Sequence, residues 1–298
     1  MNAYSEKIKE GLSFNNFIWK RIYRIFPLMW GTLGLTVAID IFYNLTHNFQ
    51  FFFFGGGNDS LLTLILNFIG VQDMFSIGQS WNYPAWSLTQ FFICWIIFYW
   101  IIHLDKKEQM SVWLFMLMIC LGICLQTTWH INIIFFNISI SRGYVAFFTG
   151  CILWYIDNYC KCHNKSKLLI QISMVYVSLE FMVVTLLKLP TGPENPAYVL
   201  GVFAPIVIIA INEKHMNCLL SNGIFQYLGE ISFSVYLCNY FVEVLVAGCN
   251  DAFSLNINAS TPYFLIFYFA LNIAIASLVH FSIEKWITNI LKRLVIVK

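Results

Sequence analysis

Residues 86–104 read WSLTQFFICWIIFYWIIHL. The run holds no Asp, Glu, Lys or Arg, and its 19 residues approach the roughly 20 that a helix needs to cross a bilayer. Backbone groups in lipid must form hydrogen bonds within the protein, and a continuous apolar run does so as a helix. A barrel strand would instead be short and alternating. This stretch therefore predicts a transmembrane helix.

Similar runs on both sides predict an all-α, polytopic transmembrane bundle of about eight spans within a single membrane domain, residues 1–298. The predicted spans are 25–43, 86–104, 110–127, 141–157, 168–188, 197–212, 224–247 and 262–283.

Composition supports this class and excludes others. Hydrophobic residues make up 59% of the chain and charged residues 11%, whereas a soluble domain carries roughly 25% charged residues. The net charge of +2, without a long basic run, argues against a nucleic-acid partner. Membrane lipids are the expected surroundings.

Basic residues predict the orientation of the spans. Three of the connecting segments contain no Lys or Arg, namely 44–85, 128–140 and 248–261. Cytoplasmic loops carry the excess of Lys and Arg, so these three segments are predicted to lie outside and both termini in the cytoplasm. An even number of spans agrees with that placement.

The outer segment 44–85 includes a second apolar run, LLTLILNFIGV at 61–71. With about 11 residues, this run is too short to cross a bilayer, which takes roughly 17–25. We therefore expect a re-entrant or interfacial helix here.

A few polar residues within the predicted spans are candidates for function because ionisable groups are unfavourable in lipid. His280 and Glu284 are four residues apart and therefore share one helix face. The alternative is that these groups only hold helices together by bonding Ser, Thr or Asn side chains. The other candidates are Gln90, Glu180 and Glu243.

Two arginines ahead of the first span suggest an anion site. Arg21 and Arg24 are three residues apart, and Pro27 follows where a first helical turn tolerates proline. Guanidinium groups at a cytoplasmic helix N-terminus would suit the phosphates of a cofactor. The alternative is ordinary anchoring to anionic lipid headgroups.

Five segments together resemble the acyltransferase-3 family of membrane O-acyltransferases. Their order and spacing match the family over essentially the whole chain. The segments are FIWKRIYRIFPLMW (17–30), WNYPAWSLTQFFICWIIFYW (81–100), RGYVAFFTGCILWY (142–155), YLGEISFSVYLCNYFVE (227–243) and SLVHFSIEKWI (277–287).

This resemblance implies transfer of an acyl group, commonly acetyl, from acyl-CoA to a hydroxyl of a surface or lipid-linked carbohydrate, in the inner membrane of a bacterium and without a metal. It assigns Arg21 and Arg24 to the CoA phosphates. The other residues expected to bind the cofactor are Trp86, Ser87 and Tyr236. The catalytic candidates are Gln90, Asn239, His280 and Glu284.

The sequence departs from the family pattern in three places. Gln90 stands where the family usually has Glu, and Asn239 stands where it often has His. The family usually has two further spans ahead of the arginine motif, one with a His that resembles the catalytic base. The sequence therefore predicts an N-terminally short or degenerate member whose remaining base candidates are His280 and Glu284. Such a chain is expected to transfer acyl groups poorly on its own.

Two other classes of function stay open at this point. One is a non-enzymatic transporter or flippase for a lipid-linked sugar or an acyl group. The other is an ion-coupled transporter, which predicts that Glu180 and Glu243 both face an aqueous cavity rather than a neighbouring helix.

Overall fold

The computed structural model describes residues 2–47, 60–75, 80–105, 110–129, 133–187, 196, 199–255 and 257–284. Helices dominate these residues, and the only extended pairing among them is an isolated bridge between Ile133 and Phe136. The predicted all-α membrane fold is confirmed.

Eleven α-helices occur in the described residues, with short 3-10 and π-helical segments between or after them. The α-helices are α1 (Asn2–Lys9), α2 (Phe14–His47), α3 (Leu61–Ile69), α4 (Trp86–Leu104), α5 (Ser111–Cys124), α6 (Ile138–Cys162), α7 (Ser166–Leu187), α8 (Ala204–Asn212), α9 (Lys214–Leu220), α10 (Gly223–Phe253) and α11 (Pro262–Val279). The 3-10 segments are Gln72–Phe75 and Tyr83–Ala85, and the π segments are Leu125–Trp129, Val199–Phe203 and His280–Glu284.

Within the described residues, six helices are long and apolar enough to cross a membrane, and all six overlap predicted spans. They are Phe14–Phe42, Tyr83–Leu104, Ser111–Thr128, Ser166–Val183, Gly223–Asn250 and Pro262–Ser282. A seventh arises if Val199–Asn212 and Lys214–Leu220, which meet at 86°, form one broken span.

The predicted fourth span, 141–157, lies within α6. This helix has 25 residues and is therefore about 37 Å long at 1.5 Å per residue. Its composition is more polar than that of the other spans, with Arg142 near one end and Asp157 near the other. The count of eight spans, the cytoplasmic termini and the single domain stay predictions.

Two compact units make up the chain. The first comprises Met1–Phe14 and Gln90–Gln226, and the second comprises Asn15–Thr89 and Tyr227–Lys298.

In the first unit, α5 packs closely against α6. A Cβ atom added to Gly122 would lie 2.8 Å from Cγ2 of Val145 and 2.9 Å from the carbonyl oxygen of Ser141. Small residues allow membrane helices to approach this closely. The resulting van der Waals contacts hold the helices together, because the hydrophobic effect does not act between helices in lipid. Gly122 therefore fixes where the two helices cross.

In the second unit, the short helix α3 is polar inside and apolar outside. Ser60 caps its N-terminus in a reciprocal capping box with Thr63, and Gly70 ends it with φ 79°. Thr63 and Asn67 are buried, and Asn67 Nδ2 donates to Ser80 Oγ at 2.8 Å. The exposed apolar side chains are Leu61, Leu62, Ile65, Phe68 and Ile69. Such a helix suits lipid contact, which supports the interfacial or re-entrant placement.

Candidate functional site

In the second unit, α10 and α11 are joined by polar side chains in three groups. Hydrogen bonds between membrane helices hold apolar segments in one register. Tyr227 and Ser277 form the first group, with 2.6 Å between their hydroxyl oxygens. The second group surrounds His280, and the third surrounds Asn239.

His280 is a buried imidazole with a carboxylate partner. Its Nε2 lies 3.3 Å from Oε1 of Glu230, and its Nδ1 lies 3.5 Å from Oγ of Ser234. His280 is 6% exposed, whereas the side chain of Glu230 is 52% exposed. A carboxylate beside an imidazole orients the ring and stabilises its protonated form. The pair can therefore accept a proton from a hydroxyl.

The backbone changes form at this histidine. The α-helical part of α11 ends at Val279, and the π-helical segment His280–Glu284 follows. Single π turns occur frequently at functional sites. The side chain of Glu284, a predicted catalytic residue, lies outside the described residues, so its role stays a prediction.

Asn239 is held by two neighbours on α11. Its Oδ1 accepts hydrogen bonds from the hydroxyl of Tyr268 at 2.9 Å and from Nδ2 of Asn272 at 3.1 Å. The same hydroxyl lies 2.9 Å from the backbone carbonyl oxygen of Asn239, and its one proton serves either acceptor. Asn239 can still offer its amide N–H groups to a ligand.

The structure joins two of the residues that were predicted to bind the cofactor. The hydroxyl of Tyr236 donates to Oγ of Ser87 at 3.0 Å, and Ser87 donates to the carbonyl of Pro84 at 3.3 Å. Trp86 precedes Ser87 as the first residue of α4 and is half-buried. This bond connects the start of α4 with α10, although the two segments are far apart in the chain.

One part of the arginine prediction is wrong. The helix begins at Phe14 rather than near residue 25, and the fully buried side chain of Phe17 packs its first turn against the protein. Arg21 and Arg24 therefore lie two to three turns inside α2, and Pro27 is within the helix. Free backbone N–H groups at a helix start cannot assist an anion there.

The side chains of Arg21 and Arg24 have different surroundings. Nη1 of Arg21 donates to the carbonyl of Phe17 at 2.8 Å, and its guanidinium carbon lies 3.4 Å from the centre of the Phe17 ring. This cation–π contact fixes the direction of the side chain. Arg24 is exposed and has no partner within the part of the chain that the structure describes.

Gln90, the third motif position on α4, belongs to the first unit and packs against α6. It is 6% exposed, and its Nε2 has no hydrogen-bond partner among the described residues. A Cβ atom added to Gly143 would lie 2.7 Å from Cβ of Gln90. Gly143 therefore makes room for this side chain.

We expect Gly143→Ala to destabilise the protein by about 1–3 kcal/mol, because the added methyl group overpacks a contact with the stem of Gln90. Gly150→Ala on the same helix is the matched control, since nothing lies within 4 Å of its added Cβ. The control should be neutral or stabilising by up to about 1 kcal/mol, as Ala favours helix. Thermal unfolding of the purified chain measures both. Equal loss in the two variants would contradict the proposed close contact.

The two other carboxylates within the predicted spans have different surroundings. In the first unit, the carboxyl group of Glu180 packs against Gly201. A Cβ atom added to Gly201 would lie 3.0 Å from the carboxyl carbon of Glu180. In the second unit, Glu243 lines a cavity of about 460 Å³. The hypothesis of an ion-coupled transporter predicted an aqueous cavity at both carboxylates. Glu180 instead packs against the segment that contains Gly201.

Several residues of these groups were not predicted from the sequence, most importantly Glu230. It is ionisable and lies within the predicted span 224–247, so the rule that selected Glu243 applies to it equally. The sequence gives no such signal for Tyr268, Asn272 and Ser234, which are not ionisable within a predicted span at neutral pH. Their contacts depend on how α10 and α11 are aligned against each other.

Comparison with known proteins agrees with the motif pattern. The acyltransferase-3 family model, described as an acyltransferase domain, matches residues 3–281. That range includes every described group of side chains above. No curated protein and no solved structure matches the chain at a significant level.

Proposed function

This chain belongs to the acyltransferase-3 family, and we propose that it moves an acyl group, commonly acetyl, from acyl-CoA to a hydroxyl of a cell-surface or lipid-linked carbohydrate. Its family and its apolar helices identify it as an integral membrane acyltransferase. What we propose beyond this is the identity of the donor, acyl-CoA, and of the acceptor, a carbohydrate.

The observation that carries the proposed chemistry is the pairing of the buried imidazole of His280 with the exposed carboxylate of Glu230. In this reaction the acceptor hydroxyl oxygen attacks the carbonyl carbon of the thioester. A carbon–oxygen bond forms, the carbon–sulfur bond breaks, and the products are an ester and the CoA thiol. His280 takes the hydroxyl proton and returns it to the departing thiolate, while Glu230 steadies the imidazolium.

The proposed donor site lies beside Arg21 and Arg24, two to three turns inside α2. Arg21 and Arg24 supply two positive charges there, and guanidinium groups bind phosphate through charge-assisted hydrogen bonds. Both arginines belong to the unit that also holds His280. The positive-inside distribution puts the N-terminal end of α2 in the cytoplasm, where acyl-CoA is available.

The other predicted site residues receive narrower roles. Ser87 and Tyr236 form a hydroxyl pair that we assign, with Trp86, to holding the thioester arm of the donor. Gln90 lies in the first unit, and its catalytic role stays a prediction. Asn239 lies nine residues beyond Glu230 on α10, about 14 Å along the helix axis. It therefore serves the acceptor rather than the proton transfer at His280.

The proposed location is the inner membrane of a bacterium. Acyl-CoA would approach from the cytoplasmic side, and the carbohydrate from the outer side. The three segments without Lys or Arg support that polarity, since they mark the outer face.

The test is acyl transfer by the purified chain in lipid nanodiscs. Acetyl-CoA and an N-acetylglucosamine oligosaccharide are supplied, thiol release is followed with a thiol reagent, and the acetylated product is identified by mass spectrometry. The permethylated oligosaccharide is the matched control, because it keeps the rings but has no hydroxyl to acylate. We expect thiol release that depends on the free oligosaccharide.

Two results would contradict the proposal. Thiol release that is equal with the permethylated control would show hydrolysis rather than transfer. Movement of a lipid-linked sugar across the bilayer without any acyl-CoA consumption would favour the non-enzymatic flippase.

A further inference from the structure

A second polar site lies between the C-terminal half of α10 and the N-terminal half of α11. Its cavity of about 460 Å³ falls within the roughly 300–1,000 Å³ of small-molecule sites. Polar side chains of both helices line it, and the connecting loop contributes Ile257 and Ala259. The polar side chains that the argument uses are Asn239, Glu243, Asn250 and Tyr268.

Glu243 is the most informative group in this cavity. It is half-buried and has no hydrogen-bond partner among the described residues. A carboxylate within a membrane span is unfavourable unless a partner satisfies it. The cavity therefore suits a ligand that donates hydrogen bonds to the carboxylate oxygens.

The other residues that line the cavity indicate which class of ligand fits it. Asn239 offers amide N–H groups, and the ring of Phe264 adds an aromatic surface beside Tyr268. Hydrogen-bond donors and acceptors beside an apolar face match a hydroxylated ring. An acyl chain would leave the carboxylate without a partner, and no group of three metal-ligating side chains occurs in the described residues.

The walls are also held in place before any ligand binds. Asn250 Oδ1 accepts from the backbone N–H of Ile257 at 2.9 Å, and Thr261 Oγ1 accepts from the N–H of Phe264 at 3.2 Å. These bonds fix the loop that closes one end of the cavity. A preformed site loses less entropy when it binds a ligand.

We infer that this cavity is a subsite for a sugar ring of the acceptor, one that does not itself react, with Glu243 accepting hydrogen bonds from its hydroxyl groups. The inference rests on the proposed function for the identity of the acceptor. Glu243 lies 13 residues beyond Glu230 on α10, about 20 Å along the axis. The subsite therefore binds a distal unit of an extended carbohydrate while another unit reaches His280.

The test uses chemical protection in the absence of acyl-CoA, so that it does not depend on catalysis. Ala247 lines the cavity and is exposed. In the Ala247→Cys chain, a small polar methanethiosulfonate should label the new thiol, measured against the parent chain to subtract its own cysteines. We expect the N-acetylglucosamine oligosaccharide to slow this labelling, and the permethylated form to have no effect.

Glu243→Gln in the Ala247→Cys chain should weaken that protection about tenfold or more, the usual effect of losing hydrogen bonds to a charged group. Glu180→Gln is the matched control, because it makes the same change away from the cavity. Tyr268→Phe is a second test should Glu243→Gln fail to fold. Thr128→Cys, exposed on another helix, should show no protection.

Unchanged labelling with the oligosaccharide would overturn the subsite. Protection by dihexanoyl phosphatidylcholine but not by the oligosaccharide would overturn it in favour of a lipid site. Loss of acyl transfer with protection intact would instead contradict the proposed function alone, so the two failures can be distinguished.

Discussion

Replacing His280 with Gln is expected to lower the turnover of acyl transfer by about 10²–10⁴-fold, the usual contribution of a positioned general base. The KM for acyl-CoA should change little. Gln can still bond to Glu230, so the packing of α10 against α11 is retained, but an amide cannot take up the hydroxyl proton. Steady-state kinetics with acetyl-CoA and the oligosaccharide measures both quantities.

Variants of the neighbours separate catalysis from packing. Glu230→Gln removes the charge that steadies the imidazolium, so turnover should fall with KM unchanged, and Glu230→Asp should recover part of the loss. Ser277→Ala removes a bond to Tyr227 in the same helix pair and is the control for general loosening. Full turnover in His280→Gln would move the base to another residue, with Glu284 the next candidate.

The transmembrane helices were predictable because lipid imposes a simple rule on sequence. An uncharged run such as 86–104 has no other way to satisfy its backbone groups in a bilayer. The same rule worked for α3, whose short apolar stretch was recognised as different from a span. It worked less well for α6, because charges near the ends of a helix lower its mean hydropathy without preventing it from forming.

The arginine prediction failed in part for a local reason. The segment 14–24 is mixed in polarity, so hydropathy alone could not show that α2 begins at Phe14. Burial of Phe17 is a tertiary contact, and tertiary packing decides where a helix starts when propensity is neutral. That Arg21 and Arg24 bind the cofactor stays a prediction, whereas their placement at the helix terminus was wrong.

Contacts between side chains of different helices could not be predicted from the sequence. His280 was a candidate on its own, but its partner depends on which turn of α10 lies opposite. Shifting α11 by one turn, about 5.4 Å, would bring His280 level with other residues of α10. Asn239 shows the same limit, since its amide oxygen is occupied only because Tyr268 and Asn272 lie opposite.

Replacing both Arg21 and Arg24 with Ala is expected to weaken acyl-CoA binding by about 10²–10⁴-fold. The reason is that each hydrogen bond to a charged group contributes roughly 1.5–3 kcal/mol. Arg21 donates one N–H to the carbonyl of Phe17, and a guanidinium group carries five N–H donors in all. Arg24 is exposed and has no partner among the described residues. Equilibrium binding of acetyl-CoA to the chain in nanodiscs measures the loss.

Lys20→Ala is the matched control for this double variant. It removes a positive charge from the same turn of α2, and the exposed Lys20 side chain points about 100° away around the helix from Arg21. If the arginines bind phosphate through directed hydrogen bonds, Lys20→Ala should weaken binding only slightly, by the screened attraction of one surface charge. If they only anchor α2 to anionic headgroups, the double variant should insert poorly and the inserted fraction should bind acetyl-CoA normally. Poor insertion with normal affinity in the inserted fraction would therefore assign the arginines to lipid anchoring and remove them from the donor site.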